Sequence, residues 1–91
     1  MFARVETFQA APEGMDELIS GQQKTVALVR QLPGNMGGYL LVNREHGKAL
    51  SVTYWEGEDD RESAESEFRA APTTGEVELY AIAMQEALNP T

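Results

Sequence analysis

The stretch from Met36 to Glu56, MGGYLLVNREHGKALSVTYWE, decides the fold of this chain. Its two arms are rich in aliphatic, aromatic and β-branched residues, which favour strands. The polar run from Asn43 to Gly47 between them is typical of a hairpin loop, in which Gly47 can take a positive φ. The sequence therefore predicts a β-hairpin that ends in the chain's only tryptophan, Trp55.

Both faces of this hairpin are mostly apolar. If Asn43 pairs with Lys48, the register follows for both arms. One face then carries the pairs Met36–Trp55, Gly38–Thr53, Leu40–Ser51 and Val42–Ala49, and the other carries Gly37–Tyr54, Tyr39–Val52 and Leu41–Leu50. An antiparallel sheet with one solvated face alternates apolar and polar residues, so we expect each face of this sheet to be covered.

The flanking segments predict the element order βαββαβ. Residues Phe2 to Gln9 alternate as a strand, residues 13–32 repeat apolar side chains at helical spacing, and Glu76 to Met84 alternates again. Residues 58–70 predict a shorter helix, and its apolar stripe is so thin that we expect it to lie loosely on the sheet. This order is typical of the ferredoxin-like α+β fold, in which two helices cover one face of a four-stranded antiparallel sheet.

The uncovered second face of that sheet predicts self-association. Packing the bulky faces of two copies together would hide both from water. We therefore expect one domain over residues 1–91 that pairs into a homodimeric α/β barrel.

The composition limits the partners. The chain has 91 residues with 7 basic and 15 acidic side chains, and its net charge of −8 disfavours nucleic acid and membrane surfaces, which attract clustered Lys and Arg. It has no cysteine, and its one histidine, His46, falls in the predicted turn, so we expect no metal site. No segment predicts a signal peptide or a membrane span. We expect a cytoplasmic protein.

These features together resemble a known family. The βαββαβ order, the stretch PGNMGGYLLVNREHGKALSVTYWE and the pair Trp55-Glu56 at the end of the third strand are similar to the antibiotic biosynthesis monooxygenase-like members of the dimeric α/β-barrel superfamily. The resemblance covers nearly the whole chain and rests mainly on residues that determine the fold. It implies a homodimer with a ligand pocket between the sheet and the helices of each protomer.

The resemblance also suggests which activities fit. Haem-degrading members have an asparagine in the first strand and a tryptophan and a histidine in the second helix, whereas this chain has Thr7 and no such residues from Arg61 to Ala71. The resemblance therefore disfavours haem degradation. Members that oxygenate phenols pair the strand-end tryptophan with an asparagine, where this chain has Ser51. The resemblance implies a reaction that needs no cofactor. It also makes Trp55 the best candidate for a catalytic residue.

The register assigns candidate residues to two places. Small side chains leave room for a ligand on the face that carries Trp55, whereas the opposite face is bulky and suits packing against a second copy. The predicted ligand pocket consists of Met36, Leu40, Ser51, Thr53, Trp55 and Phe68. The predicted dimer interface consists of Tyr39, Leu41, Leu50, Val52 and Tyr54.

Two functions remain open at this point. The first is a cofactor-independent monooxygenase of a small phenol or quinol, in which an apolar pocket and a few hydrogen bonds stabilise the substrate anion. The second is a non-catalytic barrel that binds a small apolar ligand or serves as an association module. For Trp55 the structural alternative is a core side chain under a helix. An open cavity with a polar group beside Trp55 favours the first function, and a space filled by side chains favours the second.

Overall fold

A computed structural model describes residues 1–70 and 75–86. Its elements are β1 (Phe2–Gln9), a 3₁₀ turn (Pro12–Gly14), α1 (Met15–Val29), β2 (Asn35–Asn43), β3 (Lys48–Trp55), α2 (Glu58–Ala70) and β4 (Glu76–Ala81). The strands form one antiparallel sheet in the order β2-β3-β1-β4. This confirms the predicted ferredoxin-like fold. The predicted positions of Ala71, of the turn at residues 73–74 and of the tail from residue 87 lie outside the described residues.

Strand β4 is shorter than predicted. It ends at Ala81 rather than Met84, because Ala81 is paired with Phe2, the first residue of β1. Beyond that pair a single further hydrogen bond, from the Ile82 amide to the Met1 carbonyl at 3.0 Å, continues the contact. The alternation at residues 82–84 therefore has no neighbouring strand among residues 1–70 and 75–86.

The hairpin register is confirmed except at its open end. The pairs run as predicted from Gly37–Tyr54 to the turn, but Asn35, not Met36, lies opposite Trp55. A β-bulge at Met36 causes the shift, and it is stabilised by a hydrogen bond from the Gly37 amide to the Asn35 side-chain oxygen at 3.0 Å. Gly37 adopts a φ of 109°, which favours glycine. The predicted pairing of Met36 with Trp55 is wrong, and Met36 is 53% exposed.

The helices cover one face of the sheet, which we call the inner face. Its apolar residues fall into two clusters at opposite ends of β3. One cluster joins Phe8, Met15 and Ala49, and the other joins Val29, Trp55, Ala64 and Phe68. Ser51 and Thr53 lie on β3 between the two clusters and belong to neither. The two-part core therefore leaves the middle of β3 less tightly covered.

Helix α2 is bound to the sheet more firmly than we expected from its few apolar residues. Arg61 is buried, and its Nη1 donates to the backbone carbonyls of Tyr80 at 2.9 Å and Ala3 at 3.3 Å. Glu65 accepts two hydrogen bonds from Arg4 of β1, at 2.9 and 3.1 Å. The expectation of a loosely packed helix counted only apolar side chains, whereas buried arginines make the additional contacts.

The opposite face of the sheet, the outer face, carries the residues predicted for the dimer interface. Tyr39 and Leu41 are 66% and 51% exposed, and Tyr39 packs edge-on against Tyr54 with ring centroids 6.2 Å apart. Tyr80 of β4 adds a further exposed aromatic side chain to this face. No element among the described residues covers it.

Candidate functional site

A cavity lies between α1 and the inner face of the hairpin. Its volume is about 320 Å³. The lining residues are Gln22, Val26, Val29 and Arg30 of α1, Asn35, Gly37, Gly38, Tyr39 and Leu40 of β2, and Ser51, Val52 and Thr53 of β3. It coincides with the gap between the two core clusters, and Gly38, which is paired with Thr53, lines it without a side chain.

Two buried hydroxyl groups form the polar part of the floor. Ser51 and Thr53 are 8% and 7% exposed and line the cavity side by side on β3. The Thr53 oxygen accepts a hydrogen bond from the Trp55 indole at 3.0 Å, and the Ser51 hydroxyl has no hydrogen bond to any described residue. The Ser51 hydroxyl is therefore available to donate a hydrogen bond to, or accept one from, a ligand in the cavity.

Trp55 fills the core rather than the cavity. Its side chain is fully buried and packs edge-on against Phe68, with ring centroids 6.5 Å apart. Its only polar atom, Nε1, is satisfied by Thr53. Of the six residues predicted for the pocket, the structure brings Leu40, Ser51 and Thr53 together around the cavity and leaves Met36, Trp55 and Phe68 outside its lining.

The polar residues that α1 and the start of β2 contribute to the cavity were not predicted from the sequence. Gln22, Arg30 and Asn35 line the cavity, and Arg30 is the charged member of its lining. The Arg30 side chain is exposed and makes no hydrogen bond or ion pair within the described part of the chain. The helical spacing of Gln22 with Val26 and Val29 was the available signal for Gln22, because it places a polar side chain on the apolar stripe of α1.

A buried ionic cluster lies on the inner face beside Thr53. Arg4 is paired with Thr53 across β1 and β3, and its guanidinium donates to Glu6 at 2.9 Å and to Glu65. Arg4 and Glu6 are 3% and 2% exposed, and the guanidinium lies 3.8 Å from the centre of the Phe68 ring. Burial alone would lower the pKa of Arg4, but the hydrogen bonds to Glu65 and Glu6 outweigh it and raise that pKa above its ordinary value.

The donor set of the cavity does not fit a haem held through its iron. An axial ligand for haem is a His, Cys, Met or Tyr side chain. Tyr39 is the one lining residue of these types, and its ring packs against Tyr54 on the outer face. His46 lies exposed in the hairpin turn. Within residues 1–70 and 75–86 no group of three His, Cys, Asp or Glu side chains is arranged to hold a metal ion.

None of the helices in residues 1–70 or 75–86 is both long and apolar enough to cross a membrane.

Solved structures similar to this chain share its whole architecture. The haem degrader MhuD from Mycobacterium tuberculosis, with two haems bound in its active site, matches with a TM-score of 0.78 at 14% identity, over 96% of this chain and 100% of that one. A candidate antibiotic biosynthesis monooxygenase from Deinococcus radiodurans matches with a TM-score of 0.71 at 17% identity, over 100% of this chain and 99% of that one. The chain has the fold of the antibiotic biosynthesis monooxygenase-like proteins.

A third structure with the antibiotic biosynthesis monooxygenase-like fold is a variant of SnoaB, a cofactor-independent oxygenase from Streptomyces nogalater. It matches with a TM-score of 0.70 at 22% identity, over 92% of each chain. No protein-family model matches the sequence, and no curated protein matches it significantly. The structural matches confirm the predicted fold, and at these identities they leave the activity to be argued from the cavity.

Proposed function

We propose that this protein is a cofactor-independent monooxygenase of a small phenolic aromatic compound, which binds in the cavity between α1 and β3. The observation that carries the proposal is the hydroxyl of Ser51, which has no partner among the described residues and lines a mostly apolar cavity. Val26, Val29 and Leu40 provide an apolar wall for an aromatic ring, and Ser51 and Thr53 offer hydrogen bonds to its oxygen. The cofactor-independent oxygenase SnoaB has the same fold.

The reaction that fits this site begins with an electron-rich substrate anion. A phenol with an activated methylene group loses a proton, and the resulting anion passes an electron to dioxygen. The dioxygen then bonds to the former methylene carbon. One oxygen atom stays on that carbon as a ketone and the other leaves as water, so the equation balances without a metal, a flavin or a reductant.

The protein contributes binding and charge stabilisation to this reaction. Hydroxyl donors at a developing anion lower its free energy, and they do so more strongly in an apolar cavity than in water. The described lining contains no carboxylate and no histidine, so the substrate proton passes to solvent at the open side. Arg30 at the cavity adds a positive charge that attracts an anionic substrate.

We also propose that the active form is a homodimer joined through the outer faces of two sheets. The support is the exposed apolar surface of that face, to which Tyr39, Leu41 and Tyr80 contribute. Surfaces of this kind mark interfaces in soluble proteins. A sheet-on-sheet contact would bury them.

A binding experiment combined with an oxygen electrode tests the proposed activity. Dihydroxyanthrone should bind to the purified protein and consume oxygen faster than in buffer, without added metal or flavin. Ser51→Ala and Ser51→Val should weaken binding, whereas Ser20→Ala on the exposed side of α1 should not. Binding of phenols and apolar aromatics alike without oxygen uptake would instead support the non-catalytic barrel. Absence of both binding and oxygen uptake would overturn the proposed activity.

A further inference from the structure

We propose that Thr53 is the group that donates a hydrogen bond to the substrate oxygen, and that Trp55 acts through Thr53 as its positioning residue. This inference rests on the proposed function, because it assigns roles within the same cavity. It assigns the strand-end tryptophan a role that needs no contact with the substrate.

The direction of one buried hydrogen bond determines the orientation of the Thr53 hydroxyl. The Trp55 Nε1 lies 3.0 Å from the Thr53 Oγ1, and both side chains are buried. An indole nitrogen carries a hydrogen and can only donate, so the threonine oxygen must accept. The hydroxyl hydrogen of Thr53 therefore points away from Trp55.

The surroundings of Thr53 indicate where that hydrogen points. Thr53 lies between Arg4 on β1 and Gly38 on β2, and the cavity opens on the Gly38 side. The Arg4 guanidinium cannot accept a hydrogen bond from Thr53, because its nitrogen atoms only donate. No described residue accepts a hydrogen bond from the Thr53 hydroxyl. The hydroxyl hydrogen therefore points toward the cavity that Thr53 lines.

The bond from Trp55 also strengthens Thr53 as a donor. A hydroxyl that accepts a hydrogen bond becomes polarised and donates more strongly. Because Trp55 is packed tightly against Phe68, it holds the threonine in one orientation before the substrate arrives. A donor that is already oriented stabilises a developing oxyanion at a smaller reorganisation cost.

This arrangement selects a class of ligand. Thr53 is committed as an acceptor to the indole, so it favours a ligand with an acceptor oxygen, a phenolate or a ketone, over an amine. Ser51 lies two residues away on the same face, roughly 7 Å along the strand. It can bond a second oxygen of the same aromatic molecule. The inferred substrate is therefore an oxygenated aromatic with two acceptor oxygens.

The ionisation of a bound phenol tests this assignment directly. Dihydroxyanthrone is bound under nitrogen, and the absorption of its anion is followed as the pH is raised. Thr53→Val removes the hydroxyl and keeps the shape. It should raise the pKa of the bound phenol by about one to two units, because a hydrogen bond to an anion is lost. Thr53→Ser keeps the hydroxyl and should restore most of the shift.

A double-variant comparison separates the role of Trp55 from simple packing. Trp55→Phe should raise the pKa of the bound phenol in the wild-type background and leave it unchanged when Thr53 is already valine. Circular dichroism confirms that each variant is folded. An unchanged ionisation in Thr53→Val, with the phenol still bound, would overturn the assignment and leave the proposed function standing. Failure of the wild-type protein to bind the phenol would overturn both.

Discussion

Replacing Arg4 by methionine should destabilise the protein far more than the same change at Arg44. Arg4→Met keeps much of the side-chain volume but removes the guanidinium that bonds Glu6 and Glu65. Glu6 is 2% exposed, and its Oε2 already lacks a hydrogen-bond partner within the described chain. Breaking a buried ion pair from one side costs about 3–5 kcal/mol, because a charge is left buried and unpaired.

That cost is large beside the stability of a small domain, which is roughly 5–14 kcal/mol for a chain of this length. Arg44→Met is the matched control. Arg44 pairs with Asp16 at 2.7 Å, but the two side chains are 54% and 85% exposed. An exposed pair contributes about 1 kcal/mol or less.

Urea unfolding followed by circular dichroism and by Trp55 fluorescence measures both free energies of unfolding. The double variant Arg4→Met with Glu6→Met should recover much of the loss, because it removes the lone carboxylate as well. If Arg4→Met costs no more than Arg44→Met, the buried cluster does not hold α2 to the sheet as described.

Three further predictions concern the interface, the cavity and a surface pair. Leu41→Glu should convert the proposed homodimer to monomer or aggregate in light scattering, whereas Leu28→Glu at an exposed position of α1 should leave it intact; a monomeric wild type would contradict the proposed interface. Gly38→Ala should lower stability, because its methyl group would collide with the Val52 carbonyl, whereas Gly21→Ala has open space and should gain up to about 1 kcal/mol. Equal effects of the two would contradict the close approach of β2 to the β3 backbone at Gly38. The Glu78 hydrogen bond raises the pKa of Tyr80, so Glu78→Gln should return it toward 10 in an ultraviolet titration. The hydrogen bond to Glu78 stabilises the folded protein while the Tyr80 phenol is neutral. This stabilisation is present below pH 10 and is lost as the pH rises through the pKa of Tyr80 in the folded protein. An unchanged titration would contradict the pairing.

The sequence was sufficient for the fold because its strong patterns are local. The alternation of Phe2 to Gln9 specifies β1, the apolar arms around the Asn43–Gly47 turn specify β2 and β3, and the structure has all three strands. The bulge at Met36 could not be predicted by counting pairs, since it depends on an Asn35 side chain bonding the Gly37 amide.

The site was harder to predict because it depends on contacts between distant elements. Strand alternation placed Ser51 and Thr53 on the inner face, but it could not show that Trp55 turns into the core and bonds Thr53 instead of facing a ligand. The buried charges were also missed. Arg4 shares a face with Phe2 and Phe8 in the alternation, and a charged residue on an apolar face indicates a buried partner such as Glu6.

Transfer of isotopically heavy dioxygen into dihydroxyanthrone tests the central claim most directly. Metal-free protein should convert the methylene group to a ketone that carries one heavy oxygen atom, with the second atom recovered in water. Thr53→Val should slow this conversion while Thr53→Ser largely retains it. A ketone formed at the buffer rate, or one whose oxygen comes from water, would contradict the oxygenase account.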